Sequence, residues 1–76
     1  MRGQTDGAVI KRSVAIAGHR TSVSLEPVFW DELKRLAALD EMTVNALIAR
    51  IDGARRGNLS SAIRVYILHR LKESVA

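Results

Sequence analysis

The sequence predicts a mainly α-helical fold with one β-strand, assembled as a homodimer. Residues 20–25 alternate between apolar and polar side chains, which is the pattern of a half-buried strand. Everything after Pro27 has the spacing of amphipathic helices. A single strand leaves its main-chain donors and acceptors unpaired within its own chain. The same strand of a second chain can satisfy them by forming a two-stranded antiparallel ribbon.

The size and composition of the chain favour this association. Below about 70–80 residues, a single hydrophobic core rarely supplies more than roughly 3–5 kcal/mol, and this chain has 76 residues. It has no cysteine for a disulfide, and its two histidines are too few for a structural zinc site. Oligomerisation is the means of stabilisation that remains. We expect no cofactor, no metal and no enzymatic activity, because no nucleophile lies near a base and no phosphate-binding loop is present.

The charge of the chain suggests a polyanionic partner. Twelve Lys and Arg residues against eight Asp and Glu give a formal charge of +4, which a dimer doubles. The same charge is compatible with a soluble domain that merely has a basic surface. No segment approaches the roughly 20 apolar residues of a membrane helix. Residues 1–7 lack the apolar core of a secretion signal, so we expect a cytoplasmic protein with no membrane partner.

The N-terminal part of the chain leaves two structures open. Residues 1–10 are expected to form a disordered tail, followed by a single domain over 11–76. The apolar residues of 11–17 are even-numbered, whereas those of 20–25 are odd-numbered, so one continuous strand would point them to opposite faces. Gly18 can absorb the change as a bulge or a turn. We favour residues 11–17 as an arm or extra edge strand over a hairpin, because Ala-Gly-His is a poor hairpin turn.

The strand at residues 20–25 has one polar side. Thr21 is on its apolar side with Val23 and Leu25, while the other side carries Arg20, Ser22 and Ser24. A ribbon of two such strands presents a basic, hydrogen-bonding surface of a width that fits the major groove of DNA. The sequence therefore indicates a protein that binds double-stranded DNA through this ribbon.

Three helices are predicted after the strand. The first begins at Glu26-Pro27, where proline is favoured, and ends near Leu39. The second has Thr43 as its N-cap and ends at the glycine-containing segment 52–58. The third covers 59–73, and its candidate buried residues are Leu59, Ile63, Tyr66, Ile67 and Leu71.

One strand followed by two amphipathic helices resembles the ribbon-helix-helix family of bacterial DNA-binding proteins. Three segments carry the resemblance: Arg20-Thr-Ser-Val-Ser-Leu25, the helix containing Trp30 and Leu33, and Thr43-Val-Asn-Ala-Leu-Ile48. Segment 11–17 and the third helix exceed the minimal fold, which suggests a subfamily with both additions. The resemblance implies an intertwined homodimer that binds operator DNA, possible higher-order assembly on DNA, and regulation of transcription, with repression expected.

The resemblance also implies roles for individual residues. Arg20, Ser22 and Ser24 correspond to the residues that contact bases. The residues expected to bind phosphates are Thr43, Val44 and Asn45 at the start of the second helix. Apart from the resemblance, the charges of Lys11 and Arg12 suit them either to contact phosphates or only to keep the protein soluble. The core shared by the two chains is expected to contain Val23, Leu25, Trp30, Leu33, Leu47, Ile48 and Ile51.

Two other functions remain open from the sequence. An antitoxin-like or interaction module would use the third helix to bind a partner protein. A purely structural dimerisation domain would have no DNA partner at all. Binding to DNA at moderate salt would count against the structural domain.

Overall fold

A computed structural model describes residues 8–54 and 57–75. Two strands are followed by three helices, with the bounds β1 (Ile10–Ile16), β2 (His19–Leu25), α1 (Pro27–Leu39), α2 (Val44–Ala54) and α3 (Leu59–Val75). Most of the tail expected over residues 1–10 lies outside the described residues. Its last residue, Ile10, belongs to β1. The third helix extends to Val75, two residues beyond the predicted end.

The two strands form an antiparallel hairpin within the chain. Ile10 pairs with Leu25 at one end of the ribbon, and Ile16 pairs with His19 at the other. The two residues between the strands, Ala17 and Gly18, have positive φ angles of 51° and 83°. Positive φ at both positions is the conformation of a type I′ turn, whose twist matches that of the strands. The preference for an arm or extra edge strand at 11–17 was therefore wrong, and the hairpin alternative is confirmed.

The hairpin also resolves the conflict between even and odd apolar positions. Each cross-strand pair joins an even-numbered residue of one strand to an odd-numbered residue of the other. Directly paired residues point to the same side of a sheet. Val14 and Ile16 therefore share the helix-facing side with Val23 and Leu25, and all four are buried. No bulge is needed, and the fold contains two strands where we predicted one.

Helix α1 begins and ends close to the predicted positions. Pro27 occupies its first turn, and the preceding Glu26 has an extended backbone with φ −67° and ψ 151°. At the other end, the Met42 N–H donates to the Ala37 carbonyl at 2.9 Å. The backbone of Glu41 has a left-handed conformation there, with a φ of 57°. This is the Schellman arrangement, in which glycine is the usual left-handed residue.

Helix α2 has the predicted cap. Thr43 Oγ1 accepts a hydrogen bond of 3.0 Å from the Ala46 N–H, which is the geometry of an N-cap residue. The helix continues through Gly53 to Ala54, beyond the break predicted at Asp52. An isolated glycine near a helix end costs about 1 kcal/mol relative to alanine, which packing of the rest of the helix can offset.

Helix α3 is capped by Asn58, whose Oδ1 accepts a 3.0 Å hydrogen bond from the Ser61 N–H. Its buried stripe agrees with the prediction for Leu59, Ile63 and Ile67. Tyr66 is only partly buried. Leu71 is 40% exposed, so the predicted burial of Leu71 was wrong. Each four-residue step rotates a helical stripe by about 40°, because one turn contains 3.6 residues. The third such step carries Leu71 away from the core.

One hydrophobic core lies between the ribbon and the three helices. It contains all seven residues that we expected in a core shared by two chains: Val23, Leu25, Trp30, Leu33, Leu47, Ile48 and Ile51. Each of them is at most 6% exposed in the single chain. Strand β1 and helix α3 contribute to the same core. The burial of these residues therefore does not require a second chain, and their contact with one stays a prediction.

Candidate nucleic-acid interface

The side of the ribbon that faces away from the helices is polar. Because side chains alternate along a strand, every second residue of β1 and β2 lies on this side. The cross-strand pairs on it are Lys11 with Ser24, Ser13 with Ser22 and Ala15 with Arg20. Five of these six residues are exposed, and Ser24 is partly buried. We call these six residues the polar face.

The three residues predicted to contact bases lie together on the polar face. Arg20, Ser22 and Ser24 are spaced two residues apart along β2, so their side chains follow one another along one edge of the face. No hydrogen bond or ion pair engages the Arg20 guanidinium among residues 8–54 and 57–75. The side chain is therefore free to meet a ligand.

Lys11 and Arg12, which were predicted as a pair of phosphate ligands, point to opposite sides of the ribbon. Lys11 belongs to the polar face. Arg12 lies on the helix side, where its Cζ is 5.1 Å from the centroid of the Trp30 ring. That distance allows a cation–π interaction. Trp30 also donates from Nε1 to the Ile10 carbonyl at 3.2 Å, so both contacts connect β1 to helix α1.

Ser13 is a polar-face residue that was not among the predicted site residues. It is exposed and lies directly opposite Ser22. Its position follows from the hairpin, because pairing β1 with β2 brings a second row of side chains beside the first. The alternation of residues 11–15 was visible in the sequence, but their neighbours were not.

The start of helix α2 has the properties expected of an anion-binding end. The first amide groups of a helix have no carbonyl partner within the helix, and the helix dipole is positive there. Val44 and Asn45 supply two of these amides, and Asn45 is exposed. Thr43 is exposed as well, although its hydroxyl oxygen already caps the helix. This geometry is compatible with the predicted phosphate contact.

Helix α3 is bound to the C-terminal end of β2 by two polar side chains. The Ser24 N–H donates to Ser60 Oγ at 3.0 Å, and Arg64 Nη2 donates to the Ser24 carbonyl at 3.1 Å. Arg64 Nε also donates to Glu26 Oε1 at 3.0 Å. The pKa of the Glu26 carboxyl group is lowered, mainly by a main-chain hydrogen bond and to a smaller extent by the hydrogen bond from Arg64. We refer to these contacts of Ser60 and Arg64 as the α3 clamp.

A second polar contact joins α3 to the end of α1. Arg70 donates to both carboxylate oxygens of Asp40, at 2.9 and 3.2 Å, and to the Tyr66 hydroxyl oxygen at 2.6 Å. The hydrogen bond from Arg70 lowers the pKa of Asp40. Arg64 and Arg70 therefore hold helix α3 against β2 and the end of α1.

Metal sites and membrane-spanning helices are both absent from the part of the chain that the structure describes. No three His, Cys, Asp or Glu residues there come together in a way that could hold a metal ion. None of the described helices combines the length and the apolar character needed to cross a bilayer.

Comparison with known proteins places the chain in a family. Residues 9–71 match the model of the ribbon-helix-helix domain. The structure is similar to the solved structure of an uncharacterized protein from Bordetella pertussis Tohama I, with a TM-score of 0.77 and 35% sequence identity. The match covers 93% of this chain but 62% of that one. No protein with a curated description matches the sequence. Domains of this type generally bind DNA, and they do so as dimers. This chain belongs to the ribbon-helix-helix domain family.

Proposed function

We propose that the protein is a homodimeric transcriptional repressor that binds specific sequences of double-stranded DNA. The observation that carries this proposal is the polar face, which is exposed, basic and borne by a two-stranded ribbon. A two-stranded ribbon has the width of the major groove, where each base pair presents a distinct pattern of donors and acceptors. The protein would act in the cytoplasm and catalyse no reaction.

The residues of the polar face are suited to direct contact with base edges. Arg20 can donate two parallel hydrogen bonds to the O6 and N7 atoms of guanine. The short hydroxyl groups of Ser22 and Ser24 can donate or accept, so they can serve several bases. Such contacts supply sequence specificity, whereas phosphate contacts fix the position of the protein on the duplex.

Phosphate contacts are assigned to both sides of the ribbon and to helix α2. Lys11 extends from the polar face and can reach a phosphate beside the groove. Arg12 stays close to Trp30, so we expect it to contact the phosphate backbone of the DNA from the edge of β1. Thr43, Val44 and Asn45 provide the start of α2. A dimer carries a formal charge of twice +4, that is +8, which supports attraction to DNA.

The base-contacting role can be tested with one arginine and one matched control. Arg20→Ala removes a cation from the polar face, and Lys34→Ala removes one from helix α1. Lys34 is exposed and pairs only loosely with Asp31, at 3.7 Å. DNA sequences bound by the parent protein are first selected from a random pool, and the affinities of both variants for the selected site are then compared.

We expect Arg20→Ala to weaken binding to the selected site by about 1–3 kcal/mol and to relax the preference at one base pair. Lys34→Ala should leave that preference unchanged. For six to ten phosphate contacts, affinity should also fall about 10³–10⁵-fold between 50 and 200 mM salt. If the Arg20→Ala variant preferred the same bases as strongly as the parent, the assignment of Arg20 to base contact would be wrong.

A second candidate function is binding of a partner protein by helix α3. The observation that favours it is the exposure of Val65 and Leu68, which are 52% and 53% exposed on the outer side of that helix. Replacing both with serine should abolish capture of such a partner while leaving DNA binding intact. Removal of α3 would not separate the two functions, because Ile63 and Ile67 belong to the core.

A further inference from the structure

Both main-chain groups of Ser24 are bound by side chains of helix α3. The Ser24 N–H donates to Ser60 Oγ at 3.0 Å, and the Ser24 carbonyl oxygen accepts from Arg64 Nη2 at 3.1 Å. In an antiparallel pair, residues alternate between those whose main-chain groups point to the partner strand and those whose groups point outward. Ser24 belongs to the second kind, so pairing with β1 does not hold its main-chain groups. The α3 clamp supplies the two hydrogen bonds that the ribbon leaves unmade.

The position of Ser24 in the ribbon gives these contacts a purpose. Ser24 pairs with Lys11, and the strand pairing ends one residue later at Leu25. The ends of an element are where its local stability is lowest. Among residues 8–54 and 57–75, no hydrogen bond from a helix reaches the main chain of Arg20 or Ser22. Of the three residues predicted to contact bases, Ser24 is therefore the one that α3 holds.

The two clamp residues are themselves firmly placed. Ser60 lies in the first turn of α3, three residues before the fully buried Ile63. Arg64 follows one turn after Ser60, so both side chains lie on the same side of the helix. The Arg64 guanidinium also donates from Nε to Glu26 Oε1 at 3.0 Å, and its Cζ is 5.7 Å from the centroid of the Phe29 ring. Three groups outside α3 thus fix the guanidinium.

The hydroxyl group of Ser24 depends on the main chain for its position. A serine side chain has one rotatable bond before its oxygen atom, so it cannot extend when the main chain moves. An O–H···O hydrogen bond spans only about 2.5–3.0 Å between heavy atoms, and binding groups must be held to within about 0.5 Å. Arg20 differs, because its long side chain has the rotamer freedom to adjust. A displaced Ser24 main chain would therefore change the base contact directly.

We propose that Ser60 and Arg64 are positioning residues that fix the Ser24 main chain, and with it the Ser24 hydroxyl, for contact with one base pair. This inference rests on the proposed function and adds a role for α3, the helix beyond the minimal fold. Neither residue needs to touch the DNA, because both act through Ser24. Arg20 lies four residues from Ser24, about 13 Å along the strand, so it contacts a different base pair. The specificity that depends on α3 is confined to the Ser24 end of the ribbon.

Arg64 is suited to this role by its planar guanidinium group. Nε and Nη2 donate from fixed positions in one plane, the first to Glu26 and the second to the Ser24 carbonyl. The ammonium group of a lysine is a compact charge on a flexible stem, and it does not hold two partners in this way. Arg64→Lys therefore keeps the charge beside Glu26 but releases the Ser24 carbonyl.

The test compares the base preferences of full-length variants. DNA sites are selected from a random pool with the parent protein, and affinities are measured for the selected site and for each of its single base-pair changes. Ser24→Ala identifies the base pair that Ser24 contacts, and Ser60→Ala removes the hydroxyl of the clamp. Ser60→Thr restores a hydroxyl. Ser61→Ala is the matched control, since Ser61 is the exposed neighbour of Ser60 in α3.

A mismatched base pair typically lowers affinity about 5- to 150-fold. We expect Ser24→Ala to lose this discrimination at one base pair, and Ser60→Ala and Arg64→Lys to lose most of it at the same base pair. The preference assigned to Arg20 should stay unchanged. A double variant of Ser24→Ala and Ser60→Ala should show no further loss at that position, because the two residues act as one unit. Ser60→Thr and Ser61→Ala should keep the parental preferences.

Three results would overturn the positioning role: a parental preference in Ser60→Ala, an equal loss of affinity for all sequences, or additive losses in the double variant. An equal loss would show that the clamp only stabilises the fold. If Ser24→Ala changed no preference, Ser24 would contact no base and the role would fall, while DNA binding by the rest of the polar face would stand. A parent protein that selected no sequence would refute the proposed function, and the positioning role with it.

Hydrogen exchange of the Ser24 amide tests the clamp without DNA. Exchange requires the hydrogen bond to open, so Ser60→Ala should exchange this proton at least about tenfold faster than the parent. Ser61→Ala and Ser60→Thr should exchange it at the parental rate, and all variants should keep the parental circular dichroism. An unchanged rate in Ser60→Ala would show that Ser60 does not hold the strand, which would overturn the proposal whatever the effect on DNA binding.

Discussion

The conformation of Ala17 provides a sharp test of the hairpin. Ala17 and Gly18 form the turn between β1 and β2, and Ala17 has a φ of 51°. A residue with a Cβ atom in this left-handed region costs roughly 1–2 kcal/mol relative to its preferred conformations. Asparagine tolerates the region better, and Asn-Gly is the preferred sequence for a two-residue type I′ turn. The substitution Ala17→Asn should therefore recover part of that cost.

We expect Ala17→Asn to raise the free energy of unfolding by about 0.5–1 kcal/mol, half of the cost of a left-handed alanine. For a domain of 60–100 residues, 1 kcal/mol corresponds to about 4–8 °C in Tm. Ala17→Val should have the opposite effect, because a β-branched side chain is strongly disfavoured at positive φ. Thermal unfolding followed by circular dichroism at one fixed protein concentration measures both changes.

A control at Ala15 separates the turn from the strand. Ala15 is exposed within β1, so Ala15→Val places the same side chain where β-branched residues are favoured. Ala15→Val should leave Tm unchanged or raise it slightly. Were Ala17→Asn and Ala17→Val both to unfold at the parental temperature, residues 17 and 18 would not form this turn, and the strand pairing within one chain would lose its support.

Three further predictions concern the helices. Glu41→Gly should raise the free energy of unfolding by about 0.5–1 kcal/mol in urea titrations, because Glu41 is left-handed at the end of α1; unchanged or lower stability would contradict this. The hydrogen bond from Arg70 lowers the pKa of Asp40 in the folded state. The ionised Asp40 therefore stabilises the fold at pH values above the ordinary pKa of a carboxyl group, and this stabilisation is lost as the pH falls through the lowered pKa. Asp40→Asn should therefore flatten the loss of stability between about pH 5 and pH 2, and a profile identical to the parent's would count against the ion pair. Ile63→Ala should cost about 2–5 kcal/mol, because Ile63 is fully buried; a loss below about 1 kcal/mol would show that α3 is not part of the core.

Local patterns in the sequence were sufficient for the helices. The position of Pro27, the cap at Thr43 and the stripe of Leu59, Ile63 and Ile67 each depend on residues within one or two turns of one another. Interactions over such short separations are set mainly by backbone geometry and side-chain periodicity. The helix bounds differ from those predicted by a few residues at most, and the largest difference is the extension of α2 to Ala54.

The polar side of β2 was also readable from the sequence. Alternation alone assigns Arg20, Ser22 and Ser24 to one side of a strand, whatever the strand pairs with. For the same reason, alternation could not identify the pairing strand. The choice between a hairpin and an arm or extra edge strand at residues 11–17 depended on whether Ala17 would accept a positive φ, and the propensity of the turn sequence argued against it.

The roles of the arginines show what only the tertiary structure could decide. Arg20, Arg64 and Arg70 have the same side chain and the same charge. Arg20 is exposed on the polar face, whereas Arg64 is bound to Glu26 and Arg70 to Asp40. Those partners are 38 and 30 residues distant in sequence. Periodicity specifies which side of an element a residue occupies, but only the packing of distant elements decides what lies against that side.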